Sequence, residues 1–567
     1  MASVTVIGDK ATPGVVHAAV ARDEFAGKQT KVEALGEEEG PRQQHQHQEE
    51  EEEEERHQWT YASKPGESSM YRAVEAVLKA RPDWRKTTSA VHYNLLLAER
   101  WKVPYARLGR DTALRQAVNH QRGSKGITVK GLMVKALRAH CDVTPGVVIG
   151  DFIPETHLVV PGEPANAAER VNLLSCASAP EPEPEAWICK PTTGAHGGGI
   201  HIAETAAEAV SHIDASAPVA PVDDENKKQK SDPGEEASKP KLPVKPWLAR
   251  RGGGGGAAVK PRATAASAWL VQRYIARPML LSGRKFDIRA FALVAHDGAV
   301  HFYDDWIVRT CSVPFDMTDL ANRTAHISNH CVQVESDAYG AHEEGNEIFA
   351  ADMLAYLERT YPEPMTTSTI TPEIPGTLRA PSPPEQLGGG GGGGAEGRRT
   401  ATTTTTTTRG RWLYDGIVAQ MRMIAAHTVA SVAESLGGDD AYDSFQLLGY
   451  DFMPDEDGKV WLLEVNGSPA AAERMTPSIA SDVVELAIDN IFPPVGVAED
   501  AERLRATVAG AADGGRGGAN ECRATASQEE RRRHPRWTDI SNLADKSGPA
   551  GENENEAGPA TPPKVVL

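Results

Sequence analysis

Homopolymer and low-complexity tracts divide this 567-residue chain into pieces that can pack and pieces that cannot. Glu49 to Glu55 is an unbroken acidic run, Gly252 to Gly256 and 388–394 are glycine runs, and 402–408 is a threonine run. Such stretches bury too little apolar surface to offset the entropy of ordering them. Disorder is therefore expected for 1–57, 176–186, 214–265, 366–410 and 499–567. Structureless loops of this length are uncommon inside a compact domain. Three of the tracts fall between segments that carry chemistry, which predicts one fold broken by insertions.

The same tracts govern how charge is read. A formal net charge of −19 describes an acidic protein, but the run 49–55 alone supplies seven of the negative charges and reads as a solvated tail. Six cysteines (Cys141, Cys176, Cys189, Cys311, Cys331, Cys522) show no CxxC spacing. That argues against both a zinc site and a disulfide framework, and fits a reducing compartment. No stretch of about 18 apolar residues occurs, and the first thirty residues lack a signal-peptide core. The expectation is a soluble, cytoplasmic protein with no membrane partner.

The most informative segment is FQLLGYDFMPDEDGKVWLLEVNGSPA, 445–470. Asp457-Gly458 marks a hairpin turn. Pairing outward from it sets Asp451 opposite Glu464, with Asn466 on the same face; Pro454 allows a slip of one residue. Two opposed carboxylates repel unless a cation lies between them, and this oxygen set suits Mg²⁺. A solvated acidic pair is the alternative, which the apolar flanks Leu447, Leu448, Trp461, Leu462 and Leu463 oppose.

Two further blocks supply cations. In RKFDIRAFALV, period two puts Lys285, Asp287 and Arg289 on one face of a strand, and Phe286, Ile288 and Ala290 on the other. Phe291 to Val294 are apolar on both faces, as in a central strand, so the three charges line either a cleft or an ordinary solvated face. Arg309, on the run VHFYDDWIVRT, adds another cation. In WICKPTTGAHGGGIHI, 187–202, Lys190 precedes a small-residue loop suited to polyphosphate, or to a simple Gly-rich turn. It is not a P-loop, and no G-x-S-x-G elbow accompanies its HGGG. Helical periodicity starts at Tyr71, with Val74, Val77 and Leu78 on its face. Between Arg85 and Arg138 twelve Lys/Arg face only Glu99 and Asp111. A field of that kind captures polyanions, either nucleic acid or an acidic peptide tail.

Together KPTTGAHGGGI, VQRYIARP, RKFDIRAF and DFM…WLLEVNGSP resemble the tubulin–tyrosine ligase family of the ATP-grasp superfamily. The resemblance covers 71–160, 187–202, 269–360 and 411–495. Within the family, 94–110, 326–333, 339–349 and 464–494 are similar to the tyrosine-adding branch. The resemblance implies an α+β ATP-grasp fold with N-terminal, central and C-terminal subdomains. These correspond to a basic tubulin-binding lobe at 58–155, a central subdomain at 156–268 and a C-terminal subdomain at 269–498. It implies an ATP-dependent ligase joining free tyrosine to the C-terminal glutamate of detyrosinated α-tubulin through an acylphosphate. Polyglutamylation, glycylation and non-catalytic tubulin binding are the alternatives. A monomer without a nucleic-acid partner is expected.

Carried over by residue, the resemblance places ATP phosphates on Lys190 and Lys285, under Thr192, Thr193, Gly197 and Gly199. Gln272, Arg273 and Ile275 meet the adenine. Asp287 lies toward the ribose or acceptor, and Lys130 reaches the nucleotide. Asp451, Glu464 and Asn466 hold Mg²⁺. Arg289, Arg309, Lys285, His326 and Asn329 line the reacting end, with a structural role open for His326. Arg100, Lys102, Arg107, Arg110 and Arg122 receive the tubulin tail.

Overall fold

The computed structural model describes residues 58–64, 66, 68–165, 167–176, 186–192, 198–216, 268–372, 400–436, 441–494 and 534–545. It is a mixed α/β protein organised around the strand Arg284–Val294. On one edge this strand pairs with Ile307–Thr310 and, further along, with Val300–Tyr303; on the other it pairs with Gln446–Pro454. Phe286, Ile288, Ala290 and Ala292 pack into one core with Ile417, Met421 and Ile424 of the helix Arg409–Ala430. Phe291 and Leu293 enter a second core with Tyr61, Val74, Leu95 and Ile479. The odd-numbered face therefore changes along the strand from charged, at 285–289, to apolar, at 291–293. That change is where a cleft gives way to a core.

Three other sheets complete the frame. A parallel sheet runs in the order Asp443–Ser444, Ala117–Val118, Leu95–Ala98, Trp59–Lys64, Trp84–Lys86. The helix Ser69–Lys79 covers it: the Ser68 hydroxyl accepts from the Tyr71 amide, and Tyr71, Val74 and Leu78 are buried, with Val77 half-buried. An antiparallel sheet runs Thr156–Val159, Trp269–Arg273, Trp187–Pro191, His201–Ala203. These sheets do not follow the sequence boundaries at 155/156 and 268/269. Asp443–Ser444 crosses into the first sheet, and Trp269–Arg273 lies inside the second.

Two tracts expected to be disordered contain paired strands. Pro364–Pro372 and Thr400–Thr408 form an antiparallel ribbon that overlaps the segment 366–410. β-Branched threonine favours extended backbone, so a threonine run next to a strand can serve as its partner. Thr408 then caps the helix Arg409–Ala430, its hydroxyl accepting from the Arg411 amide at 3.0 Å. Gly410 is required there: a Cβ would stand 2.2 Å from the Leu357 carbonyl oxygen.

The second case lies within 499–567. Trp537–Asp539 adds to the edge of Val300–Tyr303, and the buried Trp537 indole donates to Asp482 at 2.9 Å. The remaining residues of both tracts, together with 1–57, most of 176–186 and nearly all of 214–265, lie outside the described residues. Among the described residues no helix is long and apolar enough to cross a membrane. Truncating Trp537 to Ala empties a filled core position, and the expected loss is about 3–5 kcal/mol in equilibrium unfolding of the full chain. An unchanged unfolding midpoint would mean that this strand is not docked.

Candidate active site

The hairpin that carries the carboxylates folds nearly as its turn chemistry requires. Asp455 begins a tight turn in which the Gly458 amide bonds to the Asp455 carbonyl, and Gly458 takes φ +80°. Near the turn the register is one residue off the simple pairing, with Phe452 opposite Leu462. A bulge between Asp451 and Phe452 then restores it and sets Asp451 opposite Glu464. The slip allowed by Pro454 thus occurs, and it is cancelled before the carboxylates.

Asp451 and Glu464 face an open cleft of about 880 Å³ between the four-stranded sheet and the central sheet. Lys190 enters from Trp187–Pro191, and Gln272, Arg273 and Ile275 from the strand beside it and its continuation. Lys285, Asp287 and Arg309 enter from the central sheet, Lys130 from the start of the helix Lys130–Val143, and His326 and Asn329 from the short helix Arg323–His326 and the turn that follows it. Residues from four distant stretches of sequence therefore converge. Ile188, Ile200, Met453 and Leu463 give the cleft apolar walls.

The charges within it are of two kinds. Asp287 and Arg309 are cross-strand partners, as are Arg289 and Asp451. Arg309 bonds Asp287 at 2.6 Å and Asp451 at 2.9 Å, while Arg289 grips Asp451 at 2.5 and 3.0 Å. Burial alone would raise the Asp451 carboxyl, yet the two guanidinium groups hold it well below the usual range. Asp287 moves the opposite way: burial raises it, and Asp451 partly cancels the attraction of Arg309. The Ser328 hydroxyl donates to it.

Lys190 and Lys285, in contrast, rest on neutral partners. The Lys190 ammonium donates to Gln272 at 2.9 Å, and that of Lys285 to the Tyr274 hydroxyl at 2.7 Å. Burial lowers them to about 8 and about 7, respectively. Tyr274 in turn meets His326 Nδ1 at 2.7 Å, and His326 Nε2 lies 2.9 Å from the Asp319 carbonyl. Because the opposite ring nitrogen faces a carbonyl, the imidazole carries its proton on Nε2 and accepts from tyrosine at Nδ1. Burial keeps His326 below its ordinary value. It thus sits as a link behind Lys285, through Tyr274.

Some expected residues sit elsewhere. Arg289 does not line the cleft; it is spent on Asp451 and on the Ala470 carbonyl. The Thr192 hydroxyl turns away to the Ala268 carbonyl at 2.7 Å. Gly199 adopts φ +73° beside Pro191, and Thr193 and Gly197 lie outside the described residues. Asn466 donates to Glu464 at 3.3 Å, and Lys130 pairs with Glu464 at 2.7 Å. Tyr274 and Ser328 were missed by sequence reading. Tyr274 shares the alternate face with Gln272, a periodicity that could have found it.

In the basic segment, Lys86, Arg115, Lys130 and Arg138 bind acids within the fold. Arg107, Arg110 and Arg122 are exposed, while Arg100 and Lys102 are partly so.

The family model described as the tubulin-tyrosine ligase family matches residues 110–380 and 400–500, and the chain belongs to that family. Tubulin glycylase 3B of Tetrahymena thermophila is 24% identical over 234 residues, 39% of this chain and 15% of its own. Protein polyglycylase TTLL10 of Macaca fascicularis is 24% identical over 314 residues, 54% of this chain and 38% of its own. The probable alpha-tubulin polyglutamylase Ttll1 of T. thermophila is 23% identical over 394 residues, 66% of this chain and 71% of its own. The chain spans less than half the length of the two glycylases. These relatives are named for glycine and glutamate rather than for tyrosine.

Replacing Asp451 by Asn leaves Arg289 and Arg309 buried with too little countercharge, at an expected cost of about 3–5 kcal/mol at neutral pH. Because the folded-state value of Asp451 is depressed, its stabilisation is present above about pH 4 and is lost as the pH falls further. Unfolding curves for wild type and Asp451→Asn should therefore converge on acidification. A gap independent of pH would show that the charge of Asp451 is not what stabilises the network.

Proposed function

We propose that the cleft binds ATP and that the chain is an ATP-dependent ligase forming an amide between a carboxylate of an acidic tubulin tail and the amine of glycine or glutamate. The observation carrying this reading is the convergence of Lys190, Lys285, Asp451 and Glu464 on one cleft. The four-stranded antiparallel sheet and the central sheet act as the two jaws of an ATP-grasp fold. Ile188, Ile200, Met453 and Leu463 take the adenine, and the linker Gln272–Ile275 meets its edge. Lys190 and Lys285 take the phosphates.

Joining a carboxylate to an amine is uphill until the carboxylate is activated. A tail carboxylate oxygen attacks the γ-phosphorus, the bond to the β-phosphate oxygen breaks, and ADP leaves. The amine nitrogen then attacks the acyl carbon, inorganic phosphate departs, and the amine gives up a proton. The first step brings two anions together, so positive charge must already be in place. Lys190 and Lys285, waiting on neutral partners, can turn fully to phosphate oxygens without breaking an ion pair. Arg309, fixed by two aspartates, presents its remaining N–H surface at the reacting end.

The hard oxygen donors of Asp451, Glu464 and Asn466 fit Mg²⁺, which would screen the phosphates and polarise the γ-phosphoryl group. To serve it, Glu464 must release Lys130 and Asp451 must share its oxygens with arginine. The exposed Arg107, Arg110 and Arg122, with Arg100 and Lys102, would hold the acidic tail and steer it inward.

The named relatives favour glycine or glutamate. The blocks at 94–110, 326–333, 339–349 and 464–494 favour tyrosine as the second reading. Incubating the full chain with tubulin, MgATP and labelled glycine, glutamate or tyrosine separates them. Incorporation of glycine or glutamate alone is expected, and incorporation of tyrosine alone reverses the assignment. Glu464→Gln should lower incorporation by at least about a hundredfold while tubulin still binds, as is common when an electrostatic participant in the transition state is lost. Wild-type turnover by that variant would remove Glu464 from the metal set.

A further inference from the structure

A second constellation lies behind the cleft wall. Glu155, His157 and Cys176 place a carboxylate oxygen, an imidazole nitrogen and a thiol sulfur within 4.8 Å of one another. Glu155 Oε1 is 2.6 Å from Cys176 Sγ and 3.2 Å from His157 Nε2. The strand Thr156–Val159 presents His157, and the last residue of the helix Ala168–Cys176 presents the thiol. The cluster is thus assembled from two elements about twenty residues apart.

Three observations separate it from a chance gathering of polar groups. His157 is 6% exposed, and its Nδ1 is a buried nitrogen lacking a well-formed hydrogen bond. That nitrogen faces the Glu169 carboxylate at 3.4 Å, and Glu169 is itself held by Arg138 at 2.6 Å and by the Leu158 amide. A carboxylate behind a histidine is how ligating imidazoles are oriented: it takes the Nδ1 proton and leaves the Nε2 lone pair aimed at the ion. Finally, thiolate, imidazole and carboxylate together make a borderline-soft donor set that suits Zn²⁺, with ligand bonds of about 2.0–2.3 Å.

We propose that Glu155, His157 and Cys176 form a three-ligand site for a divalent transition metal of the zinc class. Binding replaces the thiol proton, released to solvent, by a metal–sulfur bond. It also links the metal to the nucleotide cleft. Glu155 Oε2 pairs with Arg273 at 3.3 Å, the Arg273 amide bonds to the Glu155 carbonyl at 2.8 Å, and Arg273 lines the cleft. A cation drawing on the Glu155 carboxylate weakens its hold on Arg273, so occupancy here is felt at that wall.

Co²⁺ titration of the metal-stripped full-length protein provides the test, because cobalt bound to thiolate gives a charge-transfer band in the near ultraviolet. One equivalent with that band is expected for wild type. Cys176→Ser should abolish the band, and His157→Ala and Glu155→Gln should weaken Zn²⁺ competition at least tenfold. Matching thermal unfolding without metal for wild type and the mild Cys176→Ser variant keeps misfolding apart from lost ligation. Absence of the band in wild type, or its survival in Cys176→Ser, overturns the site. The readout does not depend on ligase activity, so failure here leaves the ligase reading standing, and failure of the ligase reading leaves the metal site standing.

Discussion

Two buried aspartates, Asp287 and Asp451, and two partly buried arginines, Arg289 and Arg309, neutralise one another across three adjacent strands, and the shape of the cleft depends on them. Because Asp287 faces Arg309 and Arg289 faces Asp451 in the sheet register, a one-residue slip of either neighbouring strand would strand charges in the interior. Removing one partner from such a set costs far more than the set contributes in net stability, so it acts as a lock on register more than as a source of energy. The lock also explains the bulge after Asp451, which brings that carboxylate opposite Glu464 although the turn itself starts one residue out of step.

Beside this self-neutralised floor stands a wall of a different character. Lys190 and Lys285 are as buried as the aspartates, yet their hydrogen-bond partners are an amide and a phenol. Burying an ammonium group in this way is unfavourable, and the depression of both lysines expresses that cost. A polyphosphate entering between them relieves it. The same geometry that strains the free protein therefore becomes binding energy, directed to the place where negative charge must accumulate. The chain of Lys285, Tyr274 and His326 keeps one of these ammonium groups in position through neutral contacts only.

Much of this was legible in the sequence, for identifiable reasons. Period-two alternation put Lys285 and Asp287 on the cleft side, and turn chemistry put Asp451 against Glu464; both are local rules acting over a few residues. Arg289 obeyed the same alternation but is consumed by a partner 162 positions away, which no local rule reveals. The Thr192 hydroxyl is likewise engaged by the Ala268 carbonyl, 76 positions away. Composition led to disorder for the threonine run and for the segment around Trp537, where pairing with a distant strand decides the outcome. Sheet membership likewise ignores segment boundaries, as Asp443–Ser444 shows by joining the N-terminal parallel sheet. Cys176 stands alone in the sequence and gains its histidine and glutamate neighbours only on folding, which no cysteine spacing reveals.

The central claim is that two buried, partly deprotonated lysines wait for a polyphosphate. Calorimetric titration with MgATP in buffers of different ionisation enthalpy tests it most directly, at pH 8 and above, where phosphate itself is already ionised. The nucleotide favours the charged ammonium, so binding raises both lysines and takes up protons. Affinity should be greatest below the free-state values of about 7 and 8, and should fall by up to about tenfold per pH unit for each lysine above them. Uptake approaching about 1.4 protons at pH 8, lost in a Lys190→Met, Lys285→Met double variant, is the predicted result. Nucleotide binding without proton uptake, and with an affinity flat from pH 7 to pH 9, would contradict the account.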